Sequence, residues 1–118
     1  MNQLELAERT MAFAVRVLKM SEQLPRGVAG RTVAAQVTRS ATSVGANYRA
    51  ALRGKSRADF INKITIVLEE ADETEFWIEL IRRAELLPAH RLDVLQTEAG
   101  ELVRIFNATR TTAKNRKS

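Results

Sequence analysis

The stretch Ala34-Ala35-Gln36-Val37-Thr38-Arg39-Ser40-Ala41-Thr42-Ser43-Val44-Gly45-Ala46-Asn47-Tyr48-Arg49-Ala50-Ala51 decides the fold. Within it Ala34, Val37, Ala41, Val44, Tyr48 and Ala51 recur at alternating steps of three and four. Such steps gather all six on one face of a helix but would scatter them over both faces of a strand. An unbroken alternation of this kind is the seam of a helical bundle. Most of the seam residues are small, so a neighbouring helix axis can come close. Gly45 in mid-helix costs about 1 kcal/mol relative to Ala, and a close crossing would account for it. The helix is expected from about Gly30 or Arg31 to Arg53.

Working outward, Gly54-Lys55-Ser56 reads as a short turn, and Ser56 with Asp59 fits a helix N-cap ahead of an apolar run. The next helix should reach about Leu87, with Phe60, Ile64, Val67, Ala71, Thr74, Ile78 and Ile81 on its seam. Pro88-Ala89-His90 breaks it, and Leu92, Leu95, Ala99, Leu102 and Phe106 begin the same spacing again. Upstream, Leu4 to Met20 carries two apolar stripes. Leu4, Ala7, Met11, Ala14, Val15 and Leu18 are assigned to the core, and Leu6, Phe13, Val17 and Met20 form a second stripe. Leu24-Pro25-Arg26-Gly27 ends this first helix. Short connections between long amphipathic helices impose antiparallel neighbours, so the expected fold is an all-α, up-down-up-down four-helix bundle. It is expected to be one domain over residues 1–109, followed by a basic, disordered tail over 110–118.

Composition agrees. The 118 residues are 45% hydrophobic, with five Gly, two Pro and no Cys, enough for one core and no disulfide framework. No apolar run approaches the roughly 18 residues of a membrane span. The stretch Met1 to Leu6 lacks the basic and apolar regions of a secretion signal. A cytoplasmic protein is expected.

The net charge of +5 is unevenly distributed. From Arg26 to Arg57 there are seven bases and no acid; from Asp59 to Glu101 there are eleven acids and four bases. From Arg104 onward there are five bases and again no acid. Blocks of this kind either face an anionic partner or pair helix against helix.

No catalytic constellation can be assembled. His90 is the single histidine; a di-iron bundle needs a Glu-x-x-His motif on each of two helices and further Glu ligands. The acids Glu69, Glu70, Asp72, Glu73, Glu75 and Glu79 read as a solvated or ion-paired face. A serine nucleophile would lack a base, and Gly54-Lys55-Ser56 lacks the upstream glycine and strand of a phosphate loop. Ser43 and Asn47, one turn apart, are candidates for hydrogen bonds across the bundle. The chain is therefore expected to be no enzyme, with no cofactor, metal or small-molecule substrate and no membrane partner.

Two surfaces remain. Arg49, Arg53, Lys55 and Arg57 form a basic stripe suited to phosphates of RNA or DNA. Arg39, Glu69, Glu73, Phe76, Trp77 and Leu80 form a mixed face read as a subunit interface, with Arg39 meeting acids of a neighbouring copy. The alternative is a protein-only scaffold whose charged faces pair between subunits.

The segment from Gln36 to Arg49, the continuation Ser56-Arg57-Ala58-Asp59-Phe60-Ile61-Asn62-Lys63, and Glu70-Ala71-Asp72-Glu73-Thr74-Glu75-Phe76-Trp77 resemble a bacterial family. Its members are four-helix bundle proteins of intervening sequences in large-subunit ribosomal RNA genes. The accessory variability determinant of diversity-generating retroelements is a relative. Many members carry Ile-Ala-Glu-Gly where this chain has Tyr48-Arg49-Ala50-Ala51, which suggests a distinct branch. The resemblance implies a ring-like homopentamer, and its retroelement relatives imply contact with nucleic acid and a reverse transcriptase. It implies no catalytic activity.

Overall fold

The computed structural model describes residues 1–116. Four helices follow one another: α1 (Gln3–Ser21), α2 (Val28–Leu52), α3 (Arg57–Arg83) and α4 (Asp93–Asn115), with one 3-10 turn, Ala89–Arg91, ahead of α4. They form an elongated antiparallel bundle, about 51 × 20 × 20 Å, in which α2 packs on α1 and α3, and α4 packs on α3. The expected all-α four-helix architecture is the one observed.

Local chemistry starts and stops each rod. Asn2 and Glu5 form a reciprocal capping box at α1, and the Ser56 hydroxyl accepts from the Asp59 N–H at α3. The end of α3 comes earlier than Leu87. Glu85 takes the left-handed conformation (φ 56°), and the Leu86 N–H donates to Ile81 O at 3.1 Å. This Schellman closure draws Leu86 onto the core and satisfies terminal carbonyls before Pro88 is reached. Spacing alone could not show it, because the apolar pattern continues through Leu86 and Leu87.

The seams of α2, α3 and α4 are buried as their spacing predicts, apart from the half-buried Ala34 and Phe60. Val37, Ala41, Val44, Ile64, Val67, Ile78, Ala99, Leu102 and Phe106 are all fully buried, and Tyr48 packs on Phe106 with ring centroids 5.2 Å apart. Helix α1 is turned the other way. Leu6, Phe13, Val17 and Met20 enter the core together with Thr10 and Ala14, while Leu4, Met11, Val15 and Leu18 stay exposed. The two stripes are nearly equal in hydrophobicity; the deciding factor is volume, since Phe13 fills the interior and Met11 can lie on a surface.

Two glycines mark close approaches. A Cβ on Gly45 would sit 3.3 Å from Thr10 Oγ1, so α1 and α2 do cross tightly there. A Cβ on Gly30 would fall 1.7 Å from Pro25 O, inside the backbone of the preceding loop. Gly30→Ala must therefore push the α1–α2 connection aside, and should lower stability by about 1–3 kcal/mol in denaturant titration. An unchanged midpoint would show that the loop yields freely.

Register between α2 and α3 is set by a buried polar pair. Thr74 Oγ1 lies 2.9 Å from Ser40 Oγ, and the Ser40 hydroxyl donates to Val37 O. Ser43 and Asn47, expected to reach across the bundle, bond to each other within α2 instead. Their positions flank the seam, so the shortest acceptor is one turn back on the same helix.

Candidate nucleic-acid and self-association surfaces

The up-down path brings the C-terminal turns of α2 and α4 to the same end as the N-terminal turn of α3. At that end Arg49, Arg53 and Lys55 are exposed, and Lys63, Arg110, Lys114 and Arg116 lie beside them on α3 and α4 and just past its end. Among the described residues none of these seven forms an ion pair. Bases from the C-terminal parts of both acid-free segments thus gather at one end of the bundle, while Arg26 and Arg31 lie at the other end with the start of α2. The contribution of α4 is legible in the sequence as charge, but spacing assigns Arg110, Lys114 and Arg116 to a tail.

Arg57 is placed there too, with a different task. Its Nε donates to Ala113 O at 2.9 Å and its Nη2 to Lys114 O at 2.7 Å, so its guanidinium closes the last turn of α4. Arg110 Nε likewise donates to Thr65 Oγ1 at 2.8 Å. These contacts explain why the helix continues to Asn115, beyond the expected boundary at 109. Residues 117 and 118 lie outside the described part. Arg57→Ala should speed amide exchange over 113–115 several-fold while leaving exchange in the middle of α4 unchanged. Equal protection in both proteins would dismiss the cap.

The mixed face on α2 and α3 is largely satisfied within one chain. Arg39 Nη1 bonds Glu70 at 2.8 Å and Nη2 reaches Glu73, so Arg39 meets acids of its own α3. The Trp77 indole N–H donates to Glu73 at 3.0 Å, and Leu80 packs partly on the core. The Trp77 N–H, then Arg39, holds the Glu73 carboxyl below the ordinary range. A carboxylate favoured in this way adds stability at neutral pH, and that contribution is lost as pH falls below the ordinary glutamate range. Glu69 remains exposed, and Phe76, 56% exposed, stands edge-on to Trp77 at 5.1 Å. Ile66, 37% exposed, is a second uncovered apolar side chain farther towards the start of α3.

A larger uncovered apolar surface lies on α1. Leu4, Met11, Val15 and Leu18, exposed by between 39% and 79%, follow one another at steps of seven, four and three along the outer face. Opposite on the neighbouring helix, Arg9 grips Glu98 with two bonds of 2.7 Å and so ties α1 to α4. Among the described residues no set of three or more His, Cys, Asp or Glu is grouped for a metal ion, and no helix is long and apolar enough to cross a membrane. What these surfaces can do is bind phosphates at one end and bury apolar side chains along two flanks.

Fold and surfaces together define a small antiparallel four-helix bundle protein with a cationic end. The chain belongs to the 23S rRNA-intervening sequence protein family, whose model matches residues 2–108. It is similar to a protein of unknown function from the S23 ribosomal protein family of Bacteroides thetaiotaomicron. The two share 35% identity and a TM-score of 0.83, over 90% of this chain and 98% of that one. No curated protein matches the sequence.

Proposed function

We propose that the protein is a cytoplasmic, non-enzymatic, self-assembling module that binds nucleic acid through phosphate contacts at its basic end. The observation that carries this reading is the convergence of Arg49, Arg53, Lys55, Lys63, Arg110, Lys114 and Arg116 on one end without ion-pair partners among the described residues. The name of the family, which refers to ribosomal RNA, supports RNA as the nucleic acid. Tyr48, the aromatic residue of α2, is buried against Phe106 and offers no face to a base. Recognition is accordingly of backbone rather than of sequence. Affinity for a single-stranded RNA should fall linearly in log-log form with salt. Failure of the protein to retain RNA at low salt would end the proposal.

Self-assembly is supported by the uncovered apolar side chains. The stripe on α1 and the exposed Phe76 on α3 belong to helices diagonal to each other in the bundle. Two different apolar surfaces on opposite flanks meet head to tail, and such a contact closes into a ring when the rotation between copies closes, or otherwise runs on as a filament. Five copies are expected in that ring. With the bundles side by side, their basic ends would share one rim, and several weak phosphate contacts would act together. Native mass spectrometry of protein purified without nuclease reads both properties: a ring mass with bound nucleic acid supports the reading, and a monodisperse single subunit at micromolar concentration refutes assembly. A ring that carries no nucleic acid at any salt concentration would instead favour a protein-only scaffold.

A further inference from the structure

The seam between α1 and α4 is thinly packed. Towards the basic end it is bridged by Arg9 and Glu98, but towards the opposite end it opens into a groove of about 490 Å3. That size lies within the usual range of small-molecule sites, roughly 300–1,000 Å3. The charged side chains lining it are Arg16, Lys19 and Arg91, with His90 beside them, and no carboxylate lines the groove. Among the described residues Arg16, Lys19 and Arg91 form no ion pair. The apolar surface of the groove is mainly the 63% exposed Val94, with Met20 and Leu95 almost wholly buried beneath it.

Three further observations narrow the ligand. The first turn of the 23-residue α4 opens onto this groove, and its N-cap, Leu92, supplies no side-chain acceptor, so its N–H groups add positive potential to that of the bases. Asp93, in the first turn of α4, accepts from Arg82 at 2.7 Å. Farther along the same seam, Asp93, Glu98 and Glu101 line the adjoining hollow. Arg16 and Val94 line both hollows; a phosphodiester strand running down the seam would meet those carboxylates, whereas one phosphate held by Lys19 and Arg91 occupies the part that no carboxylate lines. The volume also exceeds what an inorganic phosphate fills, and the exposed Val94 side chain offers an apolar surface to a flat ring.

We propose that this groove receives a phosphate monoester joined to a nucleobase, with the phosphate among Arg16, Lys19 and Arg91 and the ring over Val94. The ligand is either a free nucleotide or the phosphorylated 5′ end of a nucleic-acid strand. The site lies at the end of the bundle opposite Arg49, Arg53 and Lys55, and it stands whether or not that basic end binds RNA.

The test is titration of the full chain with AMP, adenosine and inorganic phosphate, followed by amide chemical shifts. AMP should saturate the protein at millimolar concentration or below, shifting Val94 and Leu95, with adenosine and inorganic phosphate each at least ten-fold weaker. Arg91→Glu, and independently Lys19→Glu, should weaken AMP at least ten-fold without lowering the melting temperature; Arg53→Glu should leave AMP affinity unchanged. A ten-fold preference for a 5′-phosphorylated oligonucleotide over its 5′-hydroxyl form assigns the strand end, and AMP binding without that preference assigns the free nucleotide. The proposal is overturned if AMP does not saturate, if adenosine or phosphate binds equally well, or if Arg53→Glu weakens AMP as much as Arg91→Glu.

Discussion

Val17→Glu should unfold the protein, whereas Val15→Glu, two residues away, should leave it helical and change only its mass in solution. Val17 is fully buried and Val15 is 41% exposed. A carboxylate in place of Val17 would be desolvated with no cation on the core face to meet it, an expense of several kcal/mol. Domains of this size have only about 5–15 kcal/mol in total. Loss of the helical circular-dichroism signal at room temperature is therefore the expected result. Val15→Glu, best combined with Met11→Glu, places charges on the α1 stripe, where a monomer would tolerate them in water. Light scattering should then report a smaller particle with an unchanged melting curve per chain. Unfolding by Val15→Glu together with tolerance of Val17→Glu would mean that α1 is rotated relative to its described position.

Arg49→Glu, Arg53→Glu and Lys55→Glu together should weaken RNA binding by at least about 100-fold. Each exposed cation in contact with a phosphate is worth about 1 kcal/mol by Coulomb's law in water at about 4 Å, so three lost contacts give roughly that factor before repulsion is counted. The slope of log affinity against log salt should fall by about three, one for each contact removed. Arg57 is left out of this set because its guanidinium holds the carbonyls of Ala113 and Lys114, and changing it would mix fraying of α4 with loss of charge. Filter binding across a salt series measures affinity and slope together. An unaltered slope would place the phosphates elsewhere on the molecule.

The two outcomes bear on different parts of the molecule. Assembly depends on apolar flanks and RNA retention on one charged end, so a variant can lose either property first. If a ring multiplies weak contacts, Met11→Glu with Val15→Glu should also reduce RNA affinity while leaving the salt slope per subunit intact. That pattern would separate avidity from direct contact.

Three of the four helices could be placed from spacing because each has a single apolar seam. Val37 to Ala51, Ile64 to Ile81 and Leu92 to Phe106 offer only one face that can be buried, and periodicity selects it. The first helix offers two, and periodicity cannot choose between Met11 with Val15 and Phe13 with Val17. Packing against Gly45 and the interior made that choice. The end of α3 at Glu85 and the continuation of α4 to Asn115 were likewise invisible, since one depends on a local left-handed turn and the other on a guanidinium fifty-six residues away in sequence.

The sequence by itself determined the class of fold, the seams of three helices and the sorting of charge into blocks, because these follow from periods of three and four and from residue type. Only the tertiary structure decided which stripe of α1 is free, that Arg39 is satisfied by Glu70 and Glu73 of its own chain, and that the bases of α2 and α4 share one end. Those facts depend on which distant helices lie side by side. Antiparallel packing fixes that, and no local pattern records it.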